Sequence, residues 1–514
     1  MLVKILGASL YGMDAIGIQV EVNISMGQGY CIVGLPDTAV KESLHRTEIA
    51  IKANGFQMPR TKLVINLAPA ALRKTGPAFD LPIAIGILAA SDQITDTGVL
   101  PKFLMMGELS LNGSIQPIKG VLAMAIYAKE VGLEGIIIPK DNAQEASLVK
   151  GLKVFAFEHL KEVTEFCKDP GSFSPYQPSN TNNHPVHLDF DVDFSTIKGQ
   201  FQAKRAIEIA AAGGHNLLMI GPPGAGKTIL AKTSTSILPN MNLSETLETS
   251  KIYSLLGKLP NKSALMQRRP FRSPHHSLSS IALVGGGLIP QPGEISMAHN
   301  GVLFLDELPE FSRAAIEILR QPMEAGFVSI SRANHTIEFP SRFMLFASMN
   351  PCPCGYFNHP DKDCTCSPST IQKYMQKLSG PLLDRIDLQI EVIPVDFETL
   401  TSQELIENSK TIKERVTKAR AIQMKRFADQ TNTHTNAQMQ SVDLKKWAVL
   451  DQDCSNLLKM AMEKFHLSAR AHDRIIKVAR TIADLEGTKA IHNQHISEAI
   501  QYRILDRASW GQRF

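Results

Sequence analysis

The chain has 514 residues, of which 44% are hydrophobic and 20% are charged, an ordinary globular composition that is ample for sizeable cores. Its length predicts about three domains. The formal net charge is only +4, so bulk charge neither requires nor excludes a nucleic-acid partner. No apolar run approaches the roughly 18–20 residues of a membrane span, and the start of the sequence lacks the pattern of a secretory signal. We therefore expect a cytoplasmic protein that does not contact a membrane.

The first part of the sequence alternates strand-like and helix-like patterns. In chain order, hydrophobic spacing predicts a strand over 16–22, a helix over 40–53, a strand over 62–67, helices over 81–90 and 121–131, and a strand over 135–139. This mixture predicts a mixed α/β domain over residues 1–168. Four prolines lie among Ser, Asn and Gly in residues 169–185, and this composition predicts a linker over 169–189.

The remainder of the chain begins with a second α/β pattern, over residues 190–398. Short apolar strands are predicted at 216–220, 302–305 and 343–347. Strand patterns then disappear, and helical spacing predicts helices over 402–426, 442–465, 468–485 and 493–505. Residues 399–514 are therefore predicted to form a C-terminal helical domain.

A glycine-rich motif directly follows the predicted strand at 216–220 and opens a helix, which is the context of a phosphate-binding loop. Its glycines allow backbone N–H groups to approach the phosphates of ATP. Lys227 is predicted to contact the β- and γ-phosphates, and Thr228 to ligate Mg²⁺. The full loop consists of Gly221, Pro222, Pro223, Gly224, Ala225, Gly226, Lys227 and Thr228.

Two acids end the apolar strand at 302–305, downstream of the phosphate loop. We predict that Asp306 holds the Mg²⁺ shell and that Glu307 orients and deprotonates the attacking water. Asn350 ends the next strand and is placed to orient the water from the other side. Arg385 and Arg470 are candidates for stabilising transition-state charge, although a lone arginine is most often a surface residue.

Four cysteines lie close together in the sequence, at Cys352, Cys354, Cys364 and Cys366. In a reducing compartment such a group indicates metal ligands before disulfides. Four thiolates suit tetrahedral Zn²⁺, so we predict a structural zinc site in an insertion near 352–366. His359 is an alternative ligand, and four reduced cysteines without a metal are the alternative interpretation.

Three further runs, at 268–276, 285–296 and 350–355, closely resemble the ComM/YifB family of magnesium-chelatase-like AAA+ ATPases, and the resemblance covers essentially the whole chain. It implies an AAA+ P-loop NTPase core with a helical lid, working as a homohexamer. It also implies that Asn350 is the sensor-1 residue, Arg385 the arginine finger and Arg470 the sensor-2 arginine. The competing arginines for the last two roles are Arg320, Arg332 and Arg474.

The same resemblance implies a DNA motor that promotes branch migration during homologous recombination and natural transformation, acting on branched DNA or on single-stranded/duplex junctions. Residues 271–296 resemble a helix-2 insertion and 326–339 a pre-sensor-1 hairpin, elements that face the pore in related ring helicases. Their arginines would contact DNA by neutralising phosphates, although a solvated loop or a subunit contact is an equal alternative for the cluster at 268–272. The candidates are Arg332, Arg268, Arg269 and Arg272.

Residues 1–168 resemble the proteolytic, S5-like domain of Lon. Ala78 stands where Lon carries its nucleophilic serine, and alanine offers no nucleophile. Leu122 stands at the position of Lon's catalytic lysine, and Lys119 does not restore a dyad whose serine is missing. We expect a non-proteolytic scaffold or a DNA-binding platform.

Other functions compete with the DNA motor. The main alternative is a chelatase-like AAA+ ATPase that remodels protein partners, although chelatase motors generally lack the Lon-like domain and the four cysteines. An ATP-dependent protease is disfavoured by Ala78 and Leu122. A ring that regulates protein partners is compatible with the sequence.

Overall fold

A computed structural model describes residues 2–95, 98–178, 192–260, 265–287, 290–332, 335–401, 406–430 and 433–503, without the side chains at 332, 335 and 400. These residues form two compact units. The first comprises 1–186, 243–267 and 331–338, and the second comprises 187–242, 268–330 and 339–514. In the described part of the chain, every helix is too short or too polar to cross a lipid bilayer.

The strands, in chain order, are β1 (Leu2–Tyr11), β2 (Asp14–Ser25), β3 (Tyr30–Val33), β4 (Lys62–Ala68), β5 (Phe103–Met105), β6 (Glu108–Leu109), β7 (Ile115–Gln116), β8 (Gly135–Pro139), β9 (Lys153–Phe157), β10 (Leu217–Ile220), β11 (Phe271–Arg272), β12 (Gly285–Gly286), β13 (Gln291–Pro292), β14 (Val302–Leu305), β15 (Phe327–Arg332), β16 (His335–Pro340), β17 (Met344–Met349) and β18 (Leu388–Glu391).

The helices are α1 (Thr38–Ala53), α2 (Asp80–Ala90), α3 (Val121–Glu130), α4 (Ala143–Ala146), α5 (Leu160–Lys168), α6 (Phe201–Gly213), α7 (Lys227–Ile237), α8 (Leu243–Leu256), α9 (Ser280–Val284), α10 (Glu294–Met297), α11 (Arg313–Ile318), α12 (Arg320–Ala325), α13 (Pro368–Met375), α14 (Gly380–Leu383), α15 (Phe397–Thr401), α16 (Ser409–Arg426), α17 (Ser441–Trp447), α18 (Gln452–Phe465), α19 (Ala469–Glu486) and α20 (Asn493–Gln501).

The first unit is built on a seven-stranded mixed sheet with the order β3-β4-β2-β1-β5-β8-β9. Strand β2 alternates, so that Ile18, Val20 and Val22 are completely buried, as expected for a strand with one face on the core. Helix α2 is buried along its entire length, which explains why its sequence is apolar all round. At the start of the predicted linker, the N–H of Tyr176 donates to the carbonyl of Val154 over 2.7 Å.

A segment from the middle of the chain also belongs to the first unit. Helix α8 follows α7 by only a few residues, yet it packs on α3. The N–H of Gly120 donates to the carbonyl of Ser254 over 3.1 Å, and the Ser254 hydroxyl donates to the half-buried carboxylate of Glu145. The sequence carries no local sign of this placement.

The second unit is built on a five-stranded sheet with the order β11-β14-β17-β10-β18, in which every neighbouring pair is parallel. Its central strands are buried on both faces, which accounts for their continuous apolar sequences. Ile220 pairs with Met349 and Leu305 pairs with Ala347. The carboxyl ends of β10, β14 and β17 therefore meet at one edge of the sheet, where ligands bind in open α/β folds.

Two expectations for the C-terminal helices are wrong in detail. The single helix predicted over 442–465 is two helices, α17 and α18, because Asp451 caps the second by accepting from the N–H of Cys454 over 2.8 Å. The helix predicted over 402–426 is observed as α16, which begins at Ser409. Asn408 caps this helix by accepting from the N–H of Thr411 over 3.0 Å. Residues 402–405 and 504–505 lie outside the described residues. Side-chain capping of this kind overrides the helical periodicity.

Candidate nucleotide-binding site and cysteine cluster

The glycine-rich loop connects the end of β10 to the start of α7. A Cβ at Gly221 would lie 2.2 Å from the carbonyl oxygen of Val392, and Gly226 has a φ of +88°. Both positions therefore require glycine. Pro222, Pro223, Gly224 and Ala225 form the turn between them, and α7 begins at Lys227 with its N-terminus facing the loop, as an anion site requires.

Lys227 lies folded back beneath this loop and is only 8% exposed. Its Nζ donates to the carbonyl oxygens of Gly221 over 2.6 Å and Pro222 over 2.9 Å, and it lies 3.3 Å from Oδ1 of Asn350. Burial lowers the pKa of Lys227, although the nearby carboxylates of the β14 turn oppose this. The structure thus brings the loop lysine and the strand-end asparagine together.

The first acid of the pair lies against the loop threonine. The hydroxyl of Thr228 donates to Oδ2 of Asp306 over 2.9 Å. Hydroxyl and carboxylate oxygens are hard ligands of the kind that Mg²⁺ takes, alongside water and phosphate oxygens. Thr228 and Asp306 therefore fit a magnesium ion by the chemistry of their donor atoms.

Glu307 follows with a φ of +53°, a left-handed conformation that is uncommon for a residue other than glycine. Its N–H donates to the hydroxyl of Ser348 over 3.1 Å, and that hydroxyl donates to the carboxylate of Asp306. Such strain, held by surrounding contacts, clusters at functional sites. The sequence reasoning missed Ser348, and the available signal was a lone hydroxyl in the otherwise apolar strand β17.

The candidate arginines lie in two other places. Arg385 is buried and pairs with Glu324 at 2.5 Å, and with Arg320 it lines a cleft of about 480 Å³. Arg470 is exposed and lies 3.5 Å from Asp384. The described partners of Arg385 and Arg470 do not include any residue of the phosphate loop.

The competing lid arginine, Arg474, lies one helical turn beyond Arg470 on α19. Its guanidinium is 2.8 Å from buried Asp387. Arg474 therefore forms an ion pair within the second unit, and Arg470 is the more exposed of the two arginines.

The proposed DNA contacts have different environments. Arg269 donates to the carbonyls of Pro239 and Asn300 over 2.7 Å and 2.8 Å, and Arg272 pairs with Glu294 at 2.7 Å. Arg269 and Arg272 could contact DNA only if they exchanged these protein partners for DNA phosphates. Arg268 lies at the surface. Arg332 ends β15, and its side chain lies outside the described residues.

The four cysteines Cys352, Cys354, Cys364 and Cys366, called the cysteine cluster below, converge in space. Their sulfur atoms all lie within 4.8 Å of one another, with three of the pairs at 3.3, 3.6 and 3.6 Å. Zn–S bonds of about 2.3 Å in a tetrahedron place sulfurs about 3.8 Å apart, so the cluster fits Zn²⁺. His359 is not in this group; its Nδ1 accepts from the N–H of Asp361.

The turn within the cysteine cluster approaches the phosphate loop. Gly355 has a φ of +85°, and a Cβ there would lie 2.7 Å from Cδ of Pro223. The N–H of Gly355 donates to the carbonyl of Cys352 over 3.0 Å. The cysteine cluster therefore lies beside the candidate ATP site.

Of the Lon-like positions in the first unit, Leu122 is completely buried, Ala78 is partly buried against the core and Lys119 is exposed. The carbonyl of Ala78 accepts from the N–H of Gly107 over 2.9 Å, and the completely buried Leu122 donates its N–H to Glu145 over 2.9 Å. Lys119 lies beside Gly257 of the segment that follows α8. Neither Ala78 nor Leu122 has a side-chain atom that could act as a nucleophile or a base.

Comparison with known proteins shows which families this sequence matches. Residues 193–400 match the family described as "Magnesium chelatase, subunit ChlI", residues 20–142 match "Subunit ChlI of Mg-chelatase", and residues 406–503 match "Magnesium chelatase, subunit ChlI C-terminal". With the parallel sheet and the phosphate loop at its edge, the first and third of these matches identify residues 193–400 and 406–503 as a magnesium-chelatase-like AAA+ region.

Similarity to individual proteins extends over nearly the whole chain. The chain is 44% identical over 511 residues to Competence protein ComM of Haemophilus influenzae, covering 97% of this chain and 98% of ComM. It is 43% identical over 499 residues to the protein YifB of Escherichia coli, covering 96% of each chain. The chain belongs to the ComM/YifB family, which confirms the resemblance found in the sequence.

A further similarity connects the N-terminal region to Lon. The chain is 28% identical over 143 residues to the Lon protease of Methanosarcina barkeri, which is 27% of this chain and 18% of that protease. The expected fold class, an AAA+ core preceded by a Lon-like mixed α/β region, is confirmed.

Proposed function

We propose that the chain is a cytoplasmic, ATP-hydrolysing DNA motor that works as a homohexamer and promotes branch migration of DNA during homologous recombination and natural transformation. The observation that carries the nucleotide part is the meeting of three strand ends. Lys227 contacts Asn350 there, and Thr228 contacts Asp306. A cation, a metal-binding pair and a water-orienting amide are the parts that phosphoryl transfer requires.

In the proposed reaction, the loop N–H groups and Lys227 bind the β- and γ-phosphates, after Lys227 exchanges its carbonyl partners for phosphate oxygens. Thr228 and Asp306 hold Mg²⁺, which when bound neutralises charge that develops on the phosphates. Glu307 accepts a proton from the attacking water, and Asn350 orients that water. Ser348 positions the acidic pair through its bonds to both residues.

The remaining charge is stabilised by arginines. We propose that Arg385 is supplied in trans to the site of a neighbouring subunit, which requires Arg385 to leave Glu324. Arg470, at the start of α19, acts as the sensor-2 residue within the same subunit. The four residues of the cysteine cluster would hold a structural zinc ion, which would stabilise the loop beside the site.

The DNA part of the proposal is supported by the 44% identity to a protein named for competence. It is also supported by the two-stranded sheet of β15 and β16, which lies where the sequence resembles a pre-sensor-1 hairpin and whose first strand ends at Arg332. Arg332 and Arg268 are the contacts to test first, because Arg332 ends β15 and Arg268 lies at the surface. The Lon-like region acts as a non-proteolytic scaffold.

A second candidate function is a chelatase-like ATPase that remodels protein partners. The matches to magnesium-chelatase families favour it, as does the engagement of Arg269 and Arg272 in contacts unrelated to DNA. Stimulation of ATP turnover by protein but not by DNA would select this alternative.

The nucleotide part is tested by two substitutions with different expected effects. Lys227→Ala removes the phosphate-binding cation and should weaken ATP binding at least tenfold, or about 1.4 kcal/mol. Glu307→Gln keeps the shape of the site but removes the base, so ATP binding should persist while kcat falls by about a hundredfold or more. The measurements are the Kd of a labelled nucleotide and steady-state ATP turnover. Unchanged turnover in the Glu307→Gln protein would refute the assignment of the base.

A further inference from the structure

Helix α13 begins directly after the cysteine cluster and shares a small core with it. Ser367, the residue after Cys366, caps the helix by accepting from the N–H of Thr370 over 3.3 Å. Ile371 is 2% exposed and packs in one cluster with buried Cys352, and Met375 packs against it. The position of α13 therefore depends on the geometry of the four cysteines.

The same helix carries Tyr374 to the catalytic edge of the sheet. Tyr374 is 7% exposed, and with Glu307 and Asn350 it lines a cleft of about 600 Å³. Burial raises the pKa of Tyr374, and the backbone N–H of Asn350, which lies near the Tyr374 hydroxyl, partly opposes this shift. Because Cys352 lies only two residues after Asn350, the cysteine cluster holds Asn350 both directly through the chain and through Tyr374.

A second contact runs from the end of α13 to the turn that carries Glu307. The Nζ of Lys377 lies 5.5 Å from the centre of the Tyr374 ring and 3.1 Å from the carboxylate of Glu310. The N–H of Glu310 donates to the carbonyl of Glu307 over 2.8 Å. Helix α13 and the residues directly after it thus lie against the segments that carry both residues proposed to handle the attacking water.

We propose that Tyr374 is a positioning residue for ATP hydrolysis, through which the cysteine cluster fixes Asn350 and, with Lys377, the turn of Glu307. The inference rests on the proposed ATPase function. It names the contacts through which the cysteine cluster would influence the rate of ATP hydrolysis. Positioning of this kind acts on kcat, because a displacement of about 1 Å in a catalytic group costs up to a hundredfold in rate while ground-state binding is unaffected.

The test is Tyr374→Phe in the full chain, which retains the ring and its packing but removes the hydroxyl. We expect kcat to fall about tenfold, with the KM and the Kd for ATP and the zinc content unchanged. Tyr356→Phe is the matched control, since Tyr356 lies in the chain between Cys354 and Cys364 and its ring contacts His359, and its kcat should equal that of the wild type.

A double-mutant cycle tests the route. Cys366→Ser should lower the zinc content and kcat, and the same change in a Tyr374→Phe protein should lower kcat by a smaller factor, because part of its effect acts through Tyr374. Unchanged kcat in Tyr374→Phe, or fully additive effects, would overturn the inference while wild-type turnover still supports the ATPase. Absence of turnover in the wild-type protein would overturn the inference together with the proposed function.

Discussion

Asp387 lies beneath the lid helix α19, and each of its carboxylate oxygens has a charged or polar partner. Oδ1 lies 2.8 Å from Arg474, and Oδ2 accepts from the N–H of Asn216 over 2.9 Å. Nδ1 of buried His215 lies 3.5 Å from Oδ2 of Asp387. Burial alone would raise the pKa of Asp387, but Arg474 and then His215 outweigh it and hold that pKa well below its usual range.

The sign of this shift gives a pH-dependent prediction. A carboxyl whose folded pKa is depressed contributes its stability above the unfolded pKa of about 3.9 and loses it as pH falls toward the folded value. Asp387→Asn leaves Arg474 without its partner, so the free energy of unfolding at pH 7 should fall by about 3 kcal/mol. Urea titrations of both proteins should show this difference shrinking below about pH 4. A difference that stays constant down to pH 2 would contradict the ion-pair account.

At this scale the sequence predicts residues whose chemistry lies in a contiguous motif. Gly221 to Thr228 and the acids after β14 follow from strand–loop–helix context alone, because the required backbone geometry is local. Ser348 and Tyr374 could not be predicted, since their importance comes from contacts across strands and helices. The left-handed backbone of Glu307 likewise depends on Ser348, which is 41 residues away.

Helix boundaries in the C-terminal region depend on caps that hydrophobic periodicity does not report. Asp451 separates α17 from α18, so Asp451→Ala should destabilise the fold by about 1 kcal/mol through the loss of one N-terminal hydrogen bond. Asp453→Ala is the matched control, because Asp453 lies in the first turn of α18 without forming the cap. Equal midpoints in urea for the two variants would show that the cap contributes nothing.

The longer elements could be predicted because their patterns are strong. The sequence predicts strands β2, β4, β8, β10 and β14 and helices α1, α2 and α3 near their observed bounds. Some of these elements, such as β4, have a clear hydrophobic period, and others, such as α2 and β14, are continuously apolar in one buried environment. The two-strand pattern at 326–339 also appears as β15 and β16. Short strands such as β11 are too brief for any period to be detected.

At the scale of the whole molecule, sequence order and spatial grouping differ. Residues 243–267 lie between α7 and β11 in the chain, yet they cluster with the first unit. Helix α8 is bound there by Gly120 and Glu145 through Ser254. A prediction that divides the chain into consecutive domains cannot place such a segment, because local propensity contains no information about which distant surface a helix covers.

The central claim is that ATP hydrolysis at this site drives movement on DNA. The most direct measurement compares ATP turnover without DNA, with linear duplex, with single strands and with a branched junction, while the fate of the junction is followed on a native gel. We predict that the junction raises turnover most and is resolved only when ATP is hydrolysed, so that Glu307→Gln abolishes both effects.

Removing one proposed contact sharpens this measurement. Arg332→Ala should weaken junction binding and make its salt dependence shallower, with the Kd for ATP unchanged. Arg313→Ala, at an exposed arginine of α11, should behave as the wild type. The account predicts junction-stimulated turnover that depends on Arg332; the same turnover with every form of DNA and with none would contradict it.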